Sequence, residues 1–94
     1  PMQHAALKKL GFDALLSVPD QDAFDALVAR RSLPLKALLL NQAFAAGVGN
    51  WIADEVLYQS RLHPERRANT LSKEELATLR EKIIFVVKTA VELK

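Results

Sequence analysis

Residues 35–45 constrain the fold more than any other stretch of the chain. Leu35, Ala37, Leu38, Leu39, Leu40, Ala43 and Phe44 leave almost no polar face. A helix that is apolar nearly all round belongs at the centre of its domain, with the other elements packed about it. Its only charge, Lys36, lies near its start, where a lysine packs its stem and keeps its ammonium in water. Gly47-Val48-Gly49-Asn50 follows, and then a second apolar segment, residues 51–61. Two glycines one residue apart let the backbone turn tightly and come close to another surface. Asn50 stands where the N-cap of the next helix is expected.

A helix start presents unpaired amide N–H groups and the positive end of the helix dipole, and both suit a phosphate. The hinge at residues 47–50 can therefore hold a nucleic-acid backbone while the helices hold the hinge. The same glycines also fit the helix-hairpin-helix DNA-binding module. They equally fit an ordinary αα-corner that needs glycine for sharpness. Asn50 can cap the helix in every case.

The remaining sequence predicts helices and no alternating strand pattern. Residues 4–9 read as a short helical turn stopped near Gly11, and residues 10–18 as an irregular connector that packs its leucines on the core. Asp20 or Asp22 can cap a helix running to about Arg31, with Phe24, Leu27 and Val28 at helical spacing. Ser32 is a candidate cap for the next helix, with Pro34 tolerated in its first turn. In residues 51–61, Ile52, Val56 and Leu57 share a stripe, Asp54 and Glu55 sit in the first turns where acidic groups favour the dipole, and His63-Pro64 ends the helix. Ser72-Lys73-Glu74-Glu75 is a capping box. It opens a long amphipathic helix on Leu76, Leu79, Ile83, Val86, Val87 and Ala90. The expectation is an all-α fold of four main helices forming a single domain over residues 1–94.

Composition narrows the function classes. A chain of 94 residues, half of them apolar and with few Gly and Pro, makes a modest core and is not disordered. The absence of cysteine excludes a disulfide framework and a thiolate zinc site, and two distant histidines argue against any metal site. A net charge of +2 does not by itself establish a polyanion partner. Arg30, Arg31 and Lys36 precede the hinge, however, and Arg61, His63, Arg66 and Arg67 follow it, so one shared face would be a basic patch. Otherwise they form a solvated charged face. No stretch is long and apolar enough to span a membrane, and no signal-peptide pattern is present.

Catalytic groups are hard to find. No Ser/His/Asp grouping has support, and Asp54 and Glu55 point about 100° apart on a helix rather than converging. The secondary amine of Pro1 could in principle attack a sugar carbon, but Pro1-Met2 reads as the remnant of a tag on an excised piece. Trp51 and Tyr58 read as core residues rather than as stacking platforms.

One longer pattern is specific. Pro34-Leu35-Lys36-Ala37-Leu38-Leu39-Leu40-Asn41-Gln42, then Gly47-Val48-Gly49-Asn50-Trp51-Ile52-Ala53-Asp54-Glu55-Val56-Leu57-Tyr58, then His63-Pro64 resembles the helix-two-turn-helix domain of the formamidopyrimidine-DNA glycosylase and endonuclease VIII (Fpg/Nei) family. The resemblance covers nearly the whole chain, and the wording of residues 50–55 looks most like plant and fungal members. It implies a fragment of a larger multidomain enzyme of base-excision repair. Such enzymes bind damaged double-stranded DNA, flip out an oxidised purine, cleave its glycosidic bond and cut the strand by β,δ-elimination through a Schiff base. By resemblance Asn50, Gly49 and Gly47 hold a lesion-strand phosphate, Lys36 approaches the damaged nucleotide, and Glu55 supports the site. Arg61, Arg66 and Arg67 are candidate backbone contacts.

The family nucleophile is an N-terminal proline followed by glutamate on a separate β-rich domain, and Pro1-Met2-Gln3 does not match it. No catalytic residue is therefore expected in this segment, nor any cofactor. Zinc belongs, in many members, to a C-terminal finger that is not in this sequence. The expected protein is a monomer with no membrane association, nuclear in a eukaryote or in the cytoplasm and nucleoid of a bacterium. A helix-two-turn-helix or helix-hairpin-helix binding module with no enzyme attached is the alternative, and a purely structural helical domain is the third reading.

Overall fold

The computed structural model describes residues 11–14 and 17–92. The expected turn at residues 4–9, together with Pro1, Leu10, Leu15 and Leu16, lies outside them. Four α helices carry the described residues: α1 Gln21–Ala29, α2 Leu35–Leu40, α3 Asn50–Ser60 and α4 Lys73–Glu92, with a 3₁₀ turn at Ala68–Thr70. A pair of two-residue strands, β1 Phe12–Asp13 and β2 Ala45–Ala46, completes the order.

The helix starts follow local chemistry. The Asp20 carboxylate accepts the Ala23 amide at 3.0 Å and caps α1, which buries Phe24 and Val28 on one face. The capping box forms as expected: the Ser72 amide donates to Glu75 Oε1 at 2.8 Å, and the Glu75 amide donates to Ser72 Oγ at 3.1 Å. From there α4 buries Leu76, Leu79, Ile83, Val86 and Val87 along the predicted stripe. α3 and α1 pack against it, and α2 packs on α3. Phe24, Phe44, Leu35, Leu38, Leu39, Leu79 and Ile83 are the largest wholly buried side chains.

The predicted helix over residues 35–45 stops at Leu40, because Asn41 offers the chain a competing turn. Its side-chain oxygen takes the Ala43 amide at 2.9 Å, and its carbonyl takes the amides of Phe44 and Ala45 at 2.9 and 3.0 Å. Freed from the helix, Ala45–Ala46 pairs in parallel with Phe12–Asp13, Phe12 opposite Ala45. This small sheet departs from the all-helical expectation, since pairs of two residues leave no periodicity to read. Gly11 permits the approach, because a Cβ there would lie 2.0 Å from the Ala43 carbonyl oxygen. Phe12 then meets Phe44 edge-on at 5.2 Å between ring centroids.

Two other boundaries differ from expectation. Pro34 rather than Ser32 caps α2, with no side-chain bond. The amides of Leu35 and Lys36 donate instead to the carbonyls of Arg66 and Pro64, at 2.8 and 3.0 Å. α3 ends ahead of His63-Pro64: Arg61 adopts the left-handed conformation, φ 60° and ψ 38°, and the Leu62 amide reaches back to Leu57 at 3.1 Å.

The loop that supplies those carbonyls is clamped by Arg66. Its guanidinium donates to both carboxylate oxygens of Glu75, at 3.0 and 2.8 Å, and to the hydroxyl and carbonyl oxygens of Thr70, both at 2.9 Å. The Arg66 side chain, followed by the Ser72 amide, holds the Glu75 carboxyl below the usual carboxylate range. A group depressed on folding stabilises above its unfolded value and loses that contribution as pH falls through the lower folded one. Stability should therefore fall on acidification below about pH 4.5. Glu75→Gln should be less stable at neutral pH and lose less on acidification, as urea unfolding at about pH 7 and about pH 3 would show.

Candidate nucleic-acid interface

The hinge residues come together at the start of α3. Gly47 has φ 96°, a conformation that favours glycine. Val48 is buried beneath the loop and Gly49 lies on the surface. The Gln42 side-chain amide ties this loop from the side: Nε2 donates to the carbonyls of Val48 and Leu40 at 2.9 and 3.3 Å, and Oε1 accepts the Gly47 amide at 3.0 Å. Sequence reading missed this role; the cue was a glutamine with both donor and acceptor five residues before a glycine turn.

Asn50 is not the N-cap. Gly49 occupies that position in extended backbone, with no side-chain cap, and Asn50 is the first helical residue. A glycine preceding a helix takes the cap geometry as readily as asparagine, so the boundary shifts by one. The Asn50 side chain is thereby released. It is exposed and hydrogen-bonds to nothing among the described residues. The amides of Gly49, Asn50, Trp51 and Ile52 likewise donate to no acceptor among them, as the first turn of a helix dictates. A Cβ on Gly49 would meet nothing within 4 Å, so packing within the chain does not demand glycine there.

Lys36, carried on the first turn of α2, stands beside this helix start. Its Nζ lies 3.0 Å from Asp54 Oδ1, one turn of α3 beyond Asn50. With Asn50 as the first residue, neither Asp54 nor Glu55 falls in the first turn, which contains no acidic group. The expected support of the dipole is therefore absent. Glu55 turns to another face: its Oε2 accepts from Gln59 Nε2 at 2.8 Å, and it lines a shallow groove with Trp51, Phe85 and Thr89. Asp54 rather than Glu55 meets Lys36.

Three members of the expected basic patch are engaged within the chain. Arg66 is engaged by Glu75 and Thr70, and Arg67 Nη1 donates to the Ser32 carbonyl at 2.9 Å. Arg31 stacks over the Phe44 ring at 5.5 Å. Arg61 is exposed but sits at the far end of α3, about 16 Å from its start. It shares a concave surface with Asp54, Tyr58 and His63. Trp51 and Tyr58, expected in the core, are 59% and 80% exposed. The core face of α3 is filled by Ala53, Val56 and Leu57, and the indole and phenol fall outside that stripe.

These features coincide with a known domain. The family model described as the formamidopyrimidine-DNA glycosylase H2TH domain matches residues 10–94. The chain belongs to this family. The formamidopyrimidine-DNA glycosylase of Arabidopsis thaliana is 44% identical to it over 93 residues, which are 99% of this chain and 24% of that protein. The crystal structure of the MutM (Fpg) protein of Thermus thermophilus superposes with a TM-score of 0.81 at 42% identity, over 88% of this chain and 31% of its own. A Lactococcus lactis Fpg complexed with abasic-site DNA gives 0.82 at 30% identity, over 96% and 33%. The H2TH domain thus spans about a quarter to a third of the length of these relatives.

Gln42→Ala removes the ties on Gly47 and Val48 and should destabilise the domain by about 1–2 kcal/mol. The larger sign should be local. Hydrogen exchange should speed up most at the amides of Gly47 and Val48, while the α4 amides speed up only in step with the loss of global stability.

Proposed function

We propose that this H2TH domain is the DNA-binding part of a base-excision repair glycosylase and AP lyase. The parent protein would remove oxidised purines of the formamidopyrimidine and 8-oxoguanine kind from damaged duplex DNA. One observation carries the reading: the start of α3 presents exposed, uncommitted amides and the Asn50 side chain beside Lys36. Oriented N–H groups at the positive end of a helix dipole, with an ammonium nearby, are the donor set a phosphate requires. Open space around Gly49 lets a strand approach the backbone. Membership of the family, the names of the relatives and the abasic-site DNA held by the Lactococcus lactis protein support the same reading.

On this reading residues 1–94 form a single H2TH domain, with Asn50, Gly49 and Gly47 at the phosphate and Lys36 toward the damaged nucleotide. Glu55 acts at most from the adjacent face of α3, through Gln59. Among the cations proposed for the DNA backbone, exposure leaves Arg61 and Arg67, and Arg66 serves the loop. The chemistry of cutting and any zinc finger would lie in parts of the parent protein beyond these residues, and the domain itself needs no cofactor. The parent would act as a monomer wherever the DNA is kept, the nucleus of a eukaryote or the nucleoid of a bacterium. No helix among the described residues is long and apolar enough to cross a membrane.

Asn50→Ala tests the phosphate role. Losing a hydrogen bond to a charged oxygen should weaken binding to an abasic-analogue duplex by roughly 1.5–3 kcal/mol, with little dependence on flanking sequence. The unfolding midpoint should hardly move, because the side chain has no partner among the described residues. Unchanged affinity with an intact fold would reject the role.

A further inference from the structure

A carboxylate is out of place on this face. Asp54 lies one turn of α3 beyond Asn50, about 6 Å along the axis, where its charge repels the phosphate that the helix start attracts. It gives the helix dipole no first-turn support either, as the first turn holds no acidic residue. Its partner is Lys36, whose Nζ it meets at 3.0 Å with the two side chains 59% and 36% exposed. The backbone of Lys36 is fixed independently by the bond from its amide to the Pro64 carbonyl, 3.0 Å long. Only the flexible stem and ammonium of Lys36 remain to be oriented, and Asp54 is the group that orients them.

We propose that Asp54 is a positioning residue that turns Lys36 from a general phosphate-binding cation into an aimed donor. This rests on the reading that the start of α3 receives DNA. With Asp54 present, the ammonium is neutralised towards an ordinary phosphate backbone and held at one place beside the hinge. An exposed pair of this kind is weak. A distorted strand that brings an acceptor to the ammonium therefore displaces the carboxylate, whereas a regular duplex gains little by doing so. Asp54 in this way sets discrimination between damaged and undamaged strands without touching the nucleic acid.

The test compares the chain with Asp54→Asn, Lys36→Ala and the double variant. Each is titrated against an undamaged duplex and one carrying a tetrahydrofuran abasic analogue, across a range of salt concentrations. Asp54→Asn should bind undamaged duplex roughly twofold to fivefold more tightly, and its logarithmic salt slope should steepen by about 0.9, one added phosphate contact. Its preference for the abasic duplex should shrink. In the double variant the slope should return to that of Lys36→Ala, because the freed cation is gone. A slope unchanged by Asp54→Asn would overturn the proposal. So would a steepening that survives Lys36→Ala, since Asp54 would then act by its own charge alone. If the unaltered chain shows no salt-dependent binding to either duplex, the DNA-binding reading itself fails and the proposal falls with it.

Discussion

The Arg66 guanidinium is the contact on which the placement of the start of α2 depends. By spanning Glu75 and Thr70 it fixes the loop between α3 and α4. That loop, through the carbonyls of Pro64 and Arg66, supplies the acceptors for the first amides of α2. α2 starts at a proline with no side-chain cap, so it depends on this outside help. Lys36 is in that first turn. A clamp at the base of α4 thus decides where a lysine near the hinge stands.

The second support comes from the loop between α2 and α3. Asn41 ends α2, Phe44 and Val48 are buried beneath the turn, and Gln42 ties its open side. The loop's own side chains, Asn41 and Gln42, are occupied in holding it. At the start of α3 the amides of Gly49, Asn50, Trp51 and Ile52 and the Asn50 side chain have no partner among the described residues, the arrangement expected of an anion seat. This division also separates the cationic side chains by role. Arg66 holds structure, whereas Lys36 and the α3 amides face outward.

Much of this was legible in the residues. The capping box at Ser72, the stripe of α4 and the Asp20 cap are local signals, decided by neighbours in sequence, and the folded chain keeps them. The family pattern from Lys36 to His63-Pro64 was equally readable and pointed to the domain type. What could not be read depends on partners distant in sequence. The pairing of Phe12–Asp13 with Ala45–Ala46, the Lys36–Asp54 contact and the Arg66–Glu75 clamp leave no periodic trace. Apolar content also misled: Leu35 to Phe44 looked like one long helix until Asn41 diverted it, and Trp51 and Tyr58 looked like core until Val56 and Leu57 filled that face. The cap moved from Asn50 to Gly49 for a smaller reason, because both residues tolerate the geometry.

On the proposed reading, the start of α3, with Lys36 beside it, is where DNA is held. The most direct test is an NMR titration of the chain with a short duplex bearing a tetrahydrofuran abasic analogue. The largest shift changes should fall on the amides of Gly49, Asn50 and Trp51 and on the Lys36 side chain. They should fade together as salt rises, with the Arg66–Glu75 region almost still. Changes centred on Arg61 and His63, or on the groove of Trp51 and Phe85, with Gly49 and Asn50 unmoved, would contradict it.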